Sequence, residues 1–326
     1  MVILVTGGCG FIGGAFVRYV LKNTDAKVIN VDLLTYAGTS PTEYPEYKVR
    51  HSFYQLDIGS NEIGDLLEAH RPDYIINFAA ETHVDNSIKN PFRFVKTNVL
   101  QTYNLICKIQ EYFEKYQTVR FLHVSTDEVY GELTSSEGSF SESSSYAPNS
   151  PYSATKASSD HLVRAFHRTY GLPAIITNCS NNYGPYQHPE KLIPTIIRNA
   201  EKNNKIPIYG SGMNVRDWLY VDDHCDALFQ VLTKGTVGDR YNIGGKCEST
   251  NLNVAQTILS IMGKSSDLIE FVADRKGHDF RYAIDTTHIE QQLNWQTKHT
   301  FEDGLKHTVD WYLNNKEWVE KCVSLV

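Results

Sequence analysis

The chain has 326 residues, of which 41% are hydrophobic and 21% charged, with a formal net charge of -7; that length allows one large α/β unit or two unequal lobes around a substantial core. The acidic balance argues against nucleic acid as a partner, since phosphate binding wants a basic face, and no stretch approaches the roughly 18 apolar residues of a membrane span. The six cysteines lack any C-x-x-C pairing, which leaves neither a metal site nor a disulfide framework as a natural reading and makes the cytoplasm the expected address.

The start, Met1-Val2-Ile3-Leu4-Val5, has no basic n-region and reads as a buried strand over Val2 to Thr6 rather than a signal peptide. A glycine-rich turn follows, fitting both G-x-x-G-x-x-G (Gly7, Gly10, Gly13) and G-x-G-x-x-G (Gly8, Gly10, Gly13), and opens a helix over Phe11 to Lys22. Glycine permits the tight strand-to-helix turn and lets a pyrophosphate approach the N–H groups at the helix N-terminus. A second strand, Lys27 to Asp32, ends nineteen residues after Gly13 in a carboxylate. A carboxylate there accepts hydrogen bonds from ribose hydroxyls and repels a 2′-phosphate, so NAD is favoured over NADP. A third strand, His51 to Asp57, brings Asp57 and Ile58 toward the adenine edge; a fourth, Asp73 to Phe78, ends in small residues where a cofactor needs close approach.

A helix is expected over Pro91 to Lys115, a strand over Val119 to Ser125, a helix over Tyr152 to Tyr170 and a strand over Ala174 to Asn178. This alternation predicts right-handed βαβ units and a parallel sheet covered on both faces. The polar, low-complexity segment Thr134 to Ser145 reads as a solvated surface loop, with a mobile flap over the site as the alternative. After residue 180 the rhythm loosens into a Pro-, Asn- and Tyr-rich stretch, mixed short elements and a helix over Phe301 to Leu313. The expected fold is therefore a Rossmann-like doubly wound parallel sheet with a smaller mixed α/β C-terminal substrate lobe, residues 1–180 with 213–245 forming the first and 181–212 with 246–326 the second.

Tyr152 and Lys156 are four apart and share a helix face. An ammonium beside a phenol favours phenolate; taking a tyrosine from about 10 toward 7 needs roughly 4 kcal/mol, and the oxidised nicotinamide adds positive charge that supplies part of it. Asp127 and Glu128 form an adjacent carboxylate pair. Adjacent strand residues point to opposite faces, so both can serve one site only if the strand has ended at Thr126. In such a pair the member acting as acid must stay protonated, which burial and the neighbouring carboxylate favour.

These motifs resemble the extended short-chain dehydrogenase/reductase family, and within it the nucleoside-diphosphate-sugar 4,6-dehydratases, nearest the dTDP-glucose branch. The resemblance covers nearly the whole chain and is carried by Ala79 to Asp85 (AAETHVD), Ser125 to Gly131 (STDEVYG), Tyr152 to His161 (YSATKASSDH), Asn178 to Tyr186 (NCSNNYGPY), Pro189 to Pro194 (PEKLIP) and Arg216 to Val221 (RDWLYV). It implies that Tyr152 deprotonates the sugar O4 as hydride leaves C4 for NAD, with Thr126 hydrogen-bonding that oxygen. It implies next that Glu128 removes the acidified C5 hydrogen while Asp127 protonates the departing C6 hydroxyl, and that hydride returns to C6. Thr126, Asp127, Glu128, Tyr152 and Lys156 are the catalytic set.

By the same resemblance Gly7, Gly10, Phe11, Ile12, Gly13, Asp32, Leu33, Leu34, Thr35, Asp57, Ile58, Ala79, Ala80, Thr82, Thr97 and Asn182 line the cofactor with Tyr152 and Lys156. His83, Thr126, Asn181, Lys191, Leu192, Pro207, Tyr209, Arg216, Asn251, Arg275 and His278 face the nucleotide-sugar, the cations suiting a diphosphate. Helices 91–115 and 152–170 form a homodimer interface. Asn86 stands where dTDP-glucose members carry Arg, and the loop after Gly131 is short, which leaves dTDP-glucose, UDP-glucose and UDP-N-acetylglucosamine open as substrates. Glu128, where C5-inverting members carry Lys, favours retention at C5. The rival readings are a nucleotide-sugar 4-epimerase or decarboxylase, which needs no acid–base pair for water loss, and a non-catalytic NAD-sensing protein, which needs no catalytic set.

Overall fold

The computed structural model describes residues 1–38 and 48–324. The first half runs β1 (Val2–Thr6), α1 (Phe11–Asn23), β2 (Lys27–Asp32), β3 (His51–Gln55), α2 (Glu62–His70), β4 (Tyr74–Asn77), α3 (Val84–Lys89), α4 (Pro91–Phe94), α5 (Thr102–Tyr116), β5 (Arg120–Thr126), α6 (Pro151–Tyr170) and β6 (Ala174–Cys179). The second half runs β7 (Asn181–Tyr183), α7 (Leu192–Glu201), β8 (Ile206–Tyr209), β9 (Val215–Tyr220), α8 (Val221–Lys234), β10 (Arg240–Ile243), β11 (Glu248–Thr250), α9 (Asn251–Ile261), β12 (Ile269–Val272), α10 (Thr287–Leu293), α11 (Phe301–Asn314) and α12 (Lys316–Val323).

Strands such as β1, VILVT, are apolar on both faces because both faces are covered. They assemble in the order β10-β6-β5-β4-β1-β2-β3, every pairing parallel. One face packs Phe16, Val20, Leu228 and Val231 of α1 and α8 on the sheet, the other Ile63, Leu67, Leu105 and Ile109 of α2 and α5. Strand order reverses beside β1, and in open α/β sheets a ligand crevice lies at the carboxyl ends of the strands at that point.

A three-stranded sheet, β11-β9-β7, and a two-stranded one, β12-β8, belong with α7, α9 and α11 to a separate apolar cluster around Tyr183, Ile196, Trp218 and Ile258. β9 serves both cores through strand alternation: Leu219 packs under the large sheet, while Trp218 and Tyr220 face the smaller lobe.

One expectation changes. The helix expected over Pro91–Lys115 is broken by a π-helical turn, Val95–Gln101. There the Asn98 amide, fully buried, accepts from Glu81 N at 2.8 Å and donates to Glu81 O at 3.0 Å and to the Thr155 hydroxyl at 3.0 Å; π-turns of this kind re-aim side chains at functional sites. The segment 134–145 is a surface loop, as expected, exposed over 134–139. The Leu133 amide just before it and its Phe140 amide donate to the carbonyls of Arg281 and Ala283, and Arg281 Nη1 donates to Glu137 O at 2.7 Å and Gly138 O at 3.1 Å while its Nη2 holds Glu248 at 2.8 Å.

That strap predicts the effect of Arg281→Ala. Limited proteolysis within 134–145 is expected to run about tenfold faster, equivalent to about 1.4 kcal/mol of local stability, with little change in the melting temperature. Unchanged cleavage kinetics would show that the backbone pairing alone holds the segment.

Candidate active site

The glycine turn fits a dinucleotide because its shape excludes side chains. Gly7 has φ +71°, and a Cβ there would lie 2.6 Å from Ala79 N; a Cβ on Gly13 would lie 2.2 Å from Gly7 O. Backbone therefore meets backbone beneath the N-terminus of α1, leaving that end open to an anion. One cavity beside it is lined by Gly7, Gly10, Asp32, Leu33, Thr35, Asp57, Ile58, Ala79, Ala80 and Thr97. A second, sharing Gly10, Ala37, Phe78 and Ala80 with the first, is lined by Phe11, Ile12, Gly13, Thr82, Thr126, Asp127, Glu128, Tyr152, Lys156, Asn181, Asn182 and Lys191. The two adjoin as one cleft, with the glycine turn and Asp32 at one end and Asp127, Glu128, Tyr152 and Lys156 at the other.

Asp32 shapes the first cavity through its own backbone contacts. Oδ1 accepts from Leu34 N at 2.8 Å, which holds Leu34 at φ +55°, and Oδ2 accepts from Cys9 N at 3.0 Å. Leu34 itself lines neither cavity. Asp57 takes Gly59 N on Oδ1 at 2.8 Å and the Gln101 amide on Oδ2. Asn182 is fixed by His224 Nδ1 at 2.8 Å from its Oδ1.

At the reactive end β5 stops at Thr126 and residues Asp127–Tyr130 turn into a 3₁₀ helix, with the Thr126 hydroxyl accepting from Glu128 N at 3.3 Å. The turn brings both carboxylates to one cleft. Burial pushes Asp127 well above the ordinary carboxyl range, and Glu128 and Asp217 push it further. Burial also raises Glu128, but Arg216, Arg275 and Lys191 pull it back. One carboxyl is held as acid and its neighbour is drawn toward the anion. The Thr126 hydroxyl donates to Asp127 Oδ1 at 3.3 Å, and Asp127 Oδ2 has no hydrogen-bond partner among the described residues.

For Tyr152 the protein's own groups work against the expected lowering. The phenol is pushed well above its ordinary value, by burial first and then by Glu128, with the Thr126 hydroxyl opposing the rise. The Lys156 ammonium, itself lowered by burial, donates to Val124 O at 2.8 Å. Sharing a helix face is thus not enough to make a phenolate; desolvation wins over one nearby cation until more positive charge enters the cleft.

Of the expected substrate residues, Asn181 and Lys191 line the cleft. His83 lies 3.7 Å from Glu190, Arg275 lies 3.8 Å from Asp85, Tyr209 donates to Asp85 at 3.4 Å, and His278 faces Tyr209 edge-on, so these residues form one connected group beside Lys191. Pro207 and Tyr209 share the exposed face of β8. Leu192 packs on the smaller lobe's core, and the Asn251 amide donates to Asn214 O at 3.1 Å. Arg216 is committed: its Nη atoms donate to Val215 O at 2.7 Å, Asp279 O at 2.9 Å and Phe280 O at 3.2 Å. It reaches the site as charge on Glu128.

Sequence reasoning missed Glu190, which takes the Tyr36 hydroxyl at 3.0 Å and lines the cleft between cofactor and substrate sides, and the buried polar group behind Lys156 formed by His123 and Asp160. Asp160 carried a signal, as the third ionisable residue at four-residue spacing after Tyr152 and Lys156; Glu190 carried none beyond its motif.

A family model for GDP-mannose 4,6-dehydratase matches residues 4–308. The chain is 51% identical to a dTDP-glucose 4,6-dehydratase of Escherichia coli, covering 99% of this chain and 97% of that one, and 50% identical to the Neisseria meningitidis enzyme of the same name, covering 99% and 96%. It superposes with a TM-score of 0.90 on the crystal structure of dTDP-glucose 4,6-dehydratase from Bacillus anthracis in complex with NAD, at 45% identity and 99% coverage of both chains.

Asp127 also sets a stability signature. Its proton affinity is higher folded than unfolded, so the folded state loses stability as pH climbs through the unfolded carboxyl value toward the raised one. Asparagine lacks that titration. Asp127→Asn is expected to melt a few degrees above the native chain at neutral pH, with the gap closing below about pH 4. Thermal melts across pH check it; a lower melting temperature at neutral pH would contradict it.

Proposed function

The chain belongs to the GDP-mannose 4,6-dehydratase family, and from that premise we propose that it converts dTDP-glucose to the 4-keto-6-deoxy sugar nucleotide by loss of water across C5 and C6. Bound NAD supplies what the side chains lack, accepting a hydride from the sugar and giving it back, so it is unchanged over a turnover. Gly7, Gly10, Gly13 and the N-terminus of α1 would hold its pyrophosphate, Asp32 would receive the adenosine ribose hydroxyls, and Asp57 and Ile58 would flank the adenine.

The carrying observation is the unlike environment of two adjacent carboxyls. Asp127, held protonated and with Oδ2 unpartnered, is an acid positioned to give its proton to a departing hydroxyl. Glu128, drawn toward its anion by three cations, is a base for the C5 hydrogen and returns it to the same face. Tyr152 takes the O4 proton, with Lys156 and the oxidised nicotinamide together offsetting the burial that raises its phenol, and Thr126 hydrogen-bonds the same oxygen. An epimerase or decarboxylase needs Tyr152 and Lys156 but no such pair, and a sensor needs neither. Lys191, Arg275 and His83 receive the diphosphate, Tyr209 and Pro207 the base.

A second copy covers the outer faces of helices 91–115 and 152–170. Phe92 is 74%, Leu100 54%, Val95 45% and Tyr103 42% exposed along the first of these segments, and clustered exposed apolar side chains mark an interaction surface. Leu100→Glu is expected to halve the mass by light scattering, whereas an unchanged mass would place the interface elsewhere.

Glu128→Gln tests the chemistry. Oxidation at C4 should proceed, since Tyr152 and Lys156 are untouched, but elimination should fall at least about a thousandfold, so that absorbance of the reduced cofactor persists and a 4-keto sugar with its C6 hydroxyl intact accumulates. In the native enzyme, deuterium at C4 should reappear at C6 and solvent hydrogen at C5. Mass spectrometry for loss of one water from dTDP-glucose, UDP-glucose and UDP-N-acetylglucosamine in parallel identifies the substrate; native-rate dehydration by Glu128→Gln would remove that residue from the mechanism.

A further inference from the structure

The helix face that carries Tyr152 and Lys156 carries a third ionisable side chain one turn further on, Asp160, which is 0% exposed. A buried carboxylate is costly without partners. Oδ2 of Asp160 accepts from the Ser125 hydroxyl at 2.9 Å, the Tyr146 hydroxyl at 2.7 Å and the Asn178 amide at 3.4 Å, and Oδ1 faces His123 Nε2 at 3.5 Å. None of these side chains takes part in the dehydration described above.

The tautomer of His123 follows from its neighbours. The Ala79 N–H is a fixed donor lying 3.2 Å from Asn77 Oδ1, which also takes the Thr6 hydroxyl at 2.6 Å. The Asn77 amide nitrogen must then face His123 Nδ1, at 3.2 Å, and Nδ1 accepts. Burial and the Lys156 ammonium hold His123 well below its ordinary proton affinity, so the ring is neutral and carries its one proton on Nε2. That N–H points between Ser159 Oγ at 3.2 Å and Asp160 Oδ1 at 3.5 Å, Ser159 having spent its own proton on Lys156 O at 2.8 Å. Lys156 Nζ sits 3.5 Å from the same nitrogen and finds it already protonated.

We propose that Asp160 and His123 are positioning residues for Lys156: the Asp160 carboxylate is the buried counter-charge that keeps the ammonium charged beside Tyr152, and His123, locked as its Nε2–H tautomer, closes the route by which the lysine proton would pass into the core. The proposal rests on Tyr152 being the base of the reaction. Asp160 is faced by Lys156 on its own helix, His123 on β5, and Tyr146, Tyr130 and Arg240 from the far side; Cys179 faces Lys156. Arg240 is the other cation in range, but it lies over the Tyr146 ring at 4.6 Å and donates to Glu142 O, on the far side of Asp160 from Lys156. Asp160 is therefore the one carboxylate that favours the charged form of Lys156.

The test is the pH dependence of turnover in the NAD-loaded enzyme. Asp160→Asn removes the counter-charge, and Tyr152 feels the loss through Lys156. The acid limb of kcat should move up by about one pH unit and kcat near neutrality should fall about tenfold, with KM changed less than about twofold. Tyr146→Phe keeps the carboxylate and removes one of its donors, so it should move the same limb in the same direction by less; it decides the matter if Asp160→Asn does not fold. Lower thermal stability with the limb unmoved in the folded variants would make the role structural and overturn the proposal. Independently, ¹⁵N NMR of His123 in resting protein should show a neutral Nε2–H ring from about pH 6 to about pH 9; an Nδ1–H ring, or titration in that range, would overturn it. Because that measurement needs no substrate, a native enzyme inactive on every sugar nucleotide sinks the reaction assignment alone, and the tautomer still decides the arrangement behind Lys156.

Discussion

Everything at the reactive end of the cleft is organised around one cost, the desolvation of ionisable groups. Tyr152 is 8%, Lys156 4%, Asp127 2% and Asp160 0% exposed. Burial is the largest influence on the proton affinity of each. It drives tyrosine and aspartate up and lysine down, toward the uncharged form in every case. Left alone, the site would be a neutral core. What makes it reactive is the small set of partners that oppose burial selectively: Val124 O and Asp160 for Lys156, the cations Arg216, Arg275 and Lys191 for Glu128. At Asp127 the opposing pull of Arg216 and the Thr126 hydroxyl is outweighed by burial, Glu128 and Asp217, which hold it well above the ordinary carboxyl range.

The parallel sheet supplies that arrangement without strain. β1, β4, β5 and β6 deliver Gly7, Ala79, Thr126 and Asn181 to the same edge because their carboxyl ends are in register, and the turn after each strand is where a side chain is free to leave the alternation of the pleat. The 3₁₀ turn at Asp127–Tyr130 matters for this reason. On a continuing strand, Asp127 and Glu128 would point to opposite sides. The smaller lobe contributes charge from a distance, since Arg216 is pinned by the carbonyls of 279–280 and still pulls on Glu128.

What the sequence made legible is what local spacing encodes. The glycine turn, Asp32 at the end of β2, and the shared face of Tyr152 and Lys156 each depend on residues close in the chain, and six strands of the large sheet match their expected ranges to within two residues, while β10 had no expected range. Contacts set by packing were not legible. Asn98 bonding to Glu81 and Thr155, which accompanies the π-turn, joins segments 17 and 57 residues apart, and the strap of 134–140 on Arg281 spans more than 140. The burial that raises the Tyr152 phenol was not legible for the same reason. Four-residue spacing reports that a cation is near, but nothing local reports how much water is excluded.

The difference between a site that only moves a hydride and one that also removes water lies in proton inventory. Oxidation and reduction at C4 can be served by one group that alternately takes and gives a proton, and Tyr152 with its Lys156 charge suffices. Elimination across C5 and C6 needs an acid and a base present at once, in opposite protonation states, within reach of adjacent carbons. Two identical carboxyls in identical surroundings would share one proton between them and be interchangeable. Here the asymmetry is built into the surroundings: burial plus two carboxylates around Asp127, burial countered by three cations around Glu128. In the proposed reaction a diphosphate on Lys191 and Arg275 would weaken their pull on Glu128, so that the base would gain proton affinity as the substrate arrives.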